Sequence, residues 1–164
     1  MSASISKNKK IAAVYAVCAV LWAAVIFMFS AENGDDSSDL SGGVVSSIID
    51  LLDLDHEPDW LEYAIRKLAH FSEYFILGTL VFLSFYYLFK DKNTSALKCM
   101  LTSVPVCAVY ASSDELHQHF VAGRSPQIKD VCIDTAGAAL AAALITLAII
   151  LLKKRTKERT ANEV

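Results

Sequence analysis

Ionisable side chains recur at helical spacing inside three otherwise apolar stretches of the sequence. Lys67, His70, Glu73 and Tyr74 follow one another at three- and four-residue intervals, so a helix turns all four to one side. Asp114 stands four residues before Gln118. Glu115 stands three before Gln118 and four before His119, and Asp130 stands four before Asp134. Carboxylates beside an imidazole offer general acid and base pairs. Their excess over Lys67, Arg124 and Lys129 in a low-dielectric site also suits protons or cations as visitors. Lys67 and Arg124 suit phosphate or carboxylate. His70-x-x-Glu73 places two possible metal ligands on one helix side, but no short metal signature accompanies it. No metal or other cofactor is therefore expected, and residue types alone single out no catalytic group.

The elements that must position these residues are membrane spans. The chain has 164 residues, of which 54% are apolar and 20% charged, with a mean hydropathy of +0.40. The apolar residues fall in four blocks, about 11–29, 68–89, 96–113 and 131–152. Blocks of this length match one hydrocarbon thickness at roughly 1.5 Å per residue. This predicts an all-α polytopic membrane protein of four transmembrane helices. Residues 1–10 form a short cytoplasmic N-terminus, 11–152 the membrane domain and 153–164 a basic cytoplasmic tail. A cleaved signal peptide is the competing reading of the first block. That block is long for one, and no small-x-small site precedes Glu32. The net charge of −3 and the lack of a basic stripe exclude a nucleic-acid partner. Cys18, Cys99, Cys107 and Cys132 show no metal or disulfide spacing and read as small buried side chains.

Lysine and arginine set the orientation. Eleven of the fifteen basic residues lie before the first span, between Lys90 and Lys98, or between Lys153 and Arg159. Both termini are therefore expected in the cytoplasm, with the two long connections outside. The first of these, residues 31–66, holds ten of the eighteen carboxylates. Within it, residues 39–54 pattern as an amphipathic helix. Leu40, Val44, Val45, Ile48, Ile49, Leu51 and Leu52 fall on one broad face of it, while Leu54 falls off the pattern. It reads as a packed lid on the bundle or, alternatively, a moving gate. Pro58 and Asp59 suit the first turn of the next helix, and Trp60 suits the interfacial belt. Gly123 can end the third span's helix, Ser125 can cap the fourth, and Pro126 suits its first turn. Pro105 is tolerated within the third span as a kink. The alanine- and glycine-rich fourth span is expected at the centre of the bundle.

Counting from the cytoplasmic ends at about 1.5 Å per residue brings the polar groups to one level. Glu73 lies about 25 Å above Lys90, Asp114 and Glu115 roughly 24–26 Å above Lys98, and Asp134 about 28 Å above Lys153. Charge on a lipid-facing side is costly, so these sides should face one another. The expected result is an outward-opening polar pocket between the second, third and fourth spans, with the apolar first span as an outside buttress. Its residues are Lys67, His70, Glu73, Tyr74, Asp114, Glu115, Gln118, Arg124, Asp130 and Asp134. The bland alternative is a set of buried ion pairs that only hold register. His117 and His119 read as exposed interfacial side chains.

The stretch from Lys67 to Tyr74, with Leu77 and Gly78, resembles the second-helix motif of the VanZ-like membrane protein family. Asp114, Glu115, Leu116, His117 and Gln118, then Arg124, Asp130, Asp134 and Gly137, resemble its third- and fourth-helix motif. The resemblance covers roughly residues 10–150. One departure is Asp134, where the family more often has an amide, which adds negative charge. The resemblance implies a multi-pass protein of the bacterial plasma membrane. It also implies a link to teicoplanin-type glycopeptide resistance or envelope maintenance. The expected partners are membrane lipids, a lipid-linked cell-wall precursor or the glycopeptide. The competing reading is a membrane-embedded acid/base or metal-assisted enzyme acting on lipid-linked wall intermediates. Ion-coupled transport is less suited to four helices without a visible inverted repeat.

Overall fold

A computed structural model describes residues 2–32, 34–52, 58, 60–92, 94–124 and 126–162, with the backbone alone at 2–6, 34–41, 52 and 91. The described chain is helical: α1 Ser2–Ala31, α2 Gly34–Leu52, α3 Leu61–Phe89, α4 Ala96–Gln118 and α5 Ile128–Asn162, with one 3-10 turn at Lys90–Lys92. Helices α1, α3, α4 and α5 are long and apolar enough to cross a membrane. Their outward side chains, Val14, Val20, Leu101, Val109 and Leu147 among them, stay exposed on the outside of the bundle. Hydrocarbon can cover such a surface, whereas water would disfavour it. Helix α5, at 35 residues, outlasts the apolar block, and Lys153–Arg159 project beyond it.

Helix α3 is the hub and packs on α1, α2, α4 and α5; its broadest seam is with α5. The small residues of α5 explain this. Ala138, Ala141 and Ala142 are fully buried. A methyl group on Gly78 would come within 2.6 Å of the Ala138 Cα, and one on Gly137 would strike the Phe71 carbonyl oxygen. Only hydrogen at these positions lets the two backbones approach so closely. Helix α1 packs by a narrower stripe, with Ala12, Ala19 and Ile26 buried at seven-residue spacing. Three hydrogen bonds pin it: Ser84 Oγ to Ala12 O at 3.2 Å, Tyr110 OH to Ala23 O at 2.6 Å, and Trp22 Nε1 to Glu73 O at 2.9 Å.

Several local expectations shift. Leu61 N–H bonds to Pro58 O at 2.9 Å, so Pro58 sits in a turn ahead of α3 and not in its first helical turn. Asp59 and Ser125 lie outside the described residues, as do Asp53 and Leu54 of the patterned stretch. Pro126 likewise precedes α5, and Gly123 does not end α4. The helix stops at Gln118, and Gly123, at φ 74°, serves the following turn that sends Arg124 back over the bundle. In α2, Val45 is buried, whereas Leu51 is 82% exposed. Six residues at about 100° each turn Leu51 well away from Val45, so the apolar face serves both the bundle and the outside. Cys99 and Cys107 are buried, but Cys18 and Cys132 are exposed. A membrane helix is apolar on every side, so its small residues need not face inward.

Candidate functional site

The C-terminal ends of α1 and α4 meet the N-terminal ends of α3 and α5 at one end of the bundle. There the polar residues divide into two layers. The inner layer joins α3 to α5. Lys67 Nζ forms an ion pair with Asp130 and also lies 5.1 Å from the Tyr63 ring centre. One turn along each helix, His70 Nδ1 faces Asp134 Oδ1 at 3.5 Å. Four-residue spacing on α5 and three-residue spacing on α3 keep the two pairs in step. Asp134 is fully buried, and neither of its carboxylate oxygens has a hydrogen-bond partner among the described residues. Tyr74, also fully buried, leaves its hydroxyl unpartnered there.

The outer layer is a cleft of about 220 Å³. Its polar lining is Ser30, Glu32, Arg66, His70, Glu73, Asp114 and Arg124; Ile26, Phe29, Val44, Ile65 and Ala69 supply the apolar part. Helices α1 and α2 therefore help to form it. The first span is a wall of the cleft, not an outside buttress, because its last turn carries Ser30 against the polar end of α3 and α4. Ser30 is 5% exposed and Asp114 3% exposed. Ser30 Oγ and Asp114 Oδ1 have no partner among the described residues, while Asp114 Oδ2 accepts from Gln118 Nε2 at 3.5 Å.

Arg124 closes the outer edge. Its Nε donates to Glu32 O at 3.2 Å and its Nη2 to Phe29 O at 3.3 Å. These carbonyls lie at and just past the end of α1, where Phe29 O also accepts from Glu32 N–H at 3.3 Å, and where a cation suits the helix dipole. Burial first, and then the positive charge of nearby Arg66, lower the pKa of Arg124. A guanidinium nevertheless stays charged at physiological pH. Arg66 itself has no ion pair or hydrogen bond among the described residues.

Of the ten residues singled out by spacing, His70, Glu73, Asp114 and Arg124 line the cleft. Lys67, Tyr74, Asp130 and Asp134 lie behind it in the α3–α5 layer. Gln118 braces Asp114. Glu115 Oε2 accepts from Gln127 N–H at 2.8 Å, which satisfies an orphan donor at the start of α5. His117 is not an exposed interfacial group: it stacks on Phe27 with ring centres 4.4 Å apart. His119 is exposed. Ser30, Glu32 and Arg66 were not among the spacing-derived candidates. An uncharged serine in an apolar helix carries no signal, whereas Arg66, beside Lys67 at the membrane edge, could have been found from its charge. Among the described residues, no three His, Cys, Asp or Glu side chains converge as a metal-binding group.

The model of the VanZ/LLP1 family matches residues 15–151. The chain belongs to this family. The matched region takes in the second and third membrane-crossing blocks, most of the first and fourth, both layers of the polar end and the Gly78 and Gly137 contacts. No curated protein and no solved structure matches the chain.

Proposed function

We propose that this VanZ-family membrane protein binds the anionic head group of an envelope lipid or lipid-linked wall intermediate, or a glycopeptide, in the cleft between α1, α2 and α3. In doing so it contributes to teicoplanin-type resistance or to envelope maintenance. The observation that carries this reading is that one cleft is lined by Arg66, Arg124, Ser30 and Asp114, where Arg66, Ser30 Oγ and Asp114 Oδ1 have no hydrogen-bond partner among the described residues. Guanidinium groups suit phosphate and carboxylate, and the remaining polar atoms suit sugar or peptide hydrogen bonds. The apolar share of the lining suits the first methylenes of a lipid tail.

The protein sits in the bacterial plasma membrane with both termini in the cytoplasm and the cleft facing outward. This placement is supported by Lys7, Lys9, Lys10, Lys90, Lys92, Lys98 and the α5 tail, which all gather at the end away from the cleft. Reporter fusions at either terminus should be active only in the cytoplasm, and an extracytoplasmic terminus would reverse the assignment.

The functional test expresses the wild type and Arg66→Gln in a glycopeptide-susceptible Gram-positive host at matched membrane levels. Arg66 has no ion pair or hydrogen bond among the described residues, so accumulation should be unchanged while teicoplanin protection falls. Equal protection by both proteins would remove the cleft from the resistance reading. No protection by the wild type would leave envelope maintenance as the role.

A further inference from the structure

We infer that the cleft is also a hydrolytic centre for a phosphoester bond of a membrane lipid, with His70 as general base and Asp134 as the residue that positions it. The inference rests on the head-group binding proposed above. It comes from the one contact that ties the two layers together. His70 turns Nδ1 toward Asp134 Oδ1 at 3.5 Å, and its ring lines the cleft. The Nε2 edge is thereby left to the cleft. A fully buried carboxylate beside an imidazole stabilises the imidazolium that forms when the other nitrogen takes a proton.

A register-holding role alone accounts poorly for Asp134. Lys67 and Asp130, one turn away, already join the same two helices as an ion pair. Asp134 adds a buried carboxylate with no hydrogen-bond partner on either oxygen among the described residues, its Oδ1 facing only the His70 ring at 3.5 Å. Such a group is destabilising unless it serves the imidazole.

The remaining parts of the reaction are placed around the same cleft. Arg66 and Arg124 supply the charge that a phosphoryl group needs as negative charge gathers on its oxygens. Ser30 Oγ and Asp114 Oδ1, buried and without a hydrogen-bond partner among the described residues, hold the attacking water. Glu73, one turn from His70 on α3, lines the cleft as the second acid/base group. In the step itself, His70 Nε2 takes a proton from water as the water oxygen bonds to phosphorus. The bond from phosphorus to the ester oxygen breaks, and that oxygen leaves as an alcohol with a proton from Glu73. The proton on His70 then restores Glu73. Water is the only co-reactant, and both groups return to their starting states.

The shared chemistry of the substrate is a lipid phosphoester, which could come from a glycerophospholipid or from a polyprenyl carrier. The experiment uses the purified full-length chain in mixed micelles with two separate probes, head-group-labelled phosphatidylglycerol and a phosphate-labelled C55 polyprenyl monophosphate. Lipid binding and release of water-soluble label are both recorded. Release from one probe and not the other identifies the source. His70→Gln should lose turnover by about 100-fold or more at saturating lipid, within the range general base removal produces. Asp134→Asn should lower kcat by about tenfold or more with KM unchanged, and Asp134→Glu should recover part of it. A merely structural role would instead reduce folded protein and leave kcat per folded molecule intact.

Bound lipid with no release from either probe overturns the hydrolytic role and leaves the binding proposal standing. So does release that survives in His70→Gln. Absence of binding to both probes removes the lipid reading itself, and this inference with it.

Discussion

The two ends of the bundle are built on opposite principles. At the lysine-rich end, Phe82, Cys99 and Ala142 are buried together against Phe85, Tyr86 and Ile149. Tyr15 stacks on Tyr87 at 5.8 Å, and Lys90 lies over the Tyr86 and Tyr87 rings. Among the described residues, Thr146 alone leaves a buried polar side-chain atom unpartnered there. At the other end Ser30, His70, Tyr74, Asp114, Glu115, His117 and Asp134 all do so. One end is thus packed for stability. The other keeps polar capacity that its own fold does not consume, which is the usual mark of a site shaped for something else.

Substitutions at the two ends should therefore separate stability from function. The largest effect is expected between them, at the seam both depend on. Gly137→Leu forces side-chain atoms into the Phe71 backbone, which cannot yield as a flexible side chain would. Overpacking of this kind costs about 3 kcal/mol or more, so the variant should fail to accumulate in membranes. Normal accumulation would show that the seam is looser than described.

Phe82→Ala, at the packed end, should come next. Removing a fully buried ring costs about 3 kcal/mol and should lower the melting temperature in detergent, while lipid binding per folded molecule stays unchanged. A binding loss would mean that the two ends are coupled.

Asp114→Asn should show the reverse pattern. Its shape is conserved, its Gln118 contact can persist, and one buried charge is removed, so the melting temperature should hold or rise. Phosphatidylglycerol binding should tighten by about tenfold, equivalent to roughly 1.4 kcal/mol, because a negative charge beside the anionic head group is gone. Lower stability with intact binding would turn the cleft into ordinary packing. The smallest effect should come from Ser95→Ala, which removes the cap that accepts from Lys98 N at 3.3 Å. It should cost about 1 kcal/mol in thermal unfolding and leave binding untouched.

Much of this arrangement was legible in the sequence because charge inside an apolar stretch is conspicuous. The depth count brought Glu73, Asp114 and Asp134 to one level. Helical spacing put His70 on the side of α3 that meets α5. The small residues of the fourth block announced a close-packed helix, and Gly137 and Gly78 stand at its tightest contacts.

What was not legible follows from the bilayer itself. A span surrounded by hydrocarbon is apolar all round, so periodicity does not show which face meets protein. The part played by α1, through Ser30 and Trp22, was hidden for that reason, and so was the outward turn of Cys18 and Cys132. Glu115 looked like a site residue because a carboxylate does not announce whether it will meet a ligand or a helix end. Gly123 looked like a helix stop because the same residue serves both a cap and a reversal.

The two bonds from Arg124 to the carbonyls at and just past the end of α1 bear on how the molecule is made. Ribosomes deliver the first span long before the segment that fastens its outer end, and more than ninety residues separate the partners. The newborn α1 must wait in the lipid without the Arg124 bonds until α4 has emerged and turned back. The cleft is thus finished only when the hairpin after α4 arrives, so no partly synthesised intermediate can present a completed site.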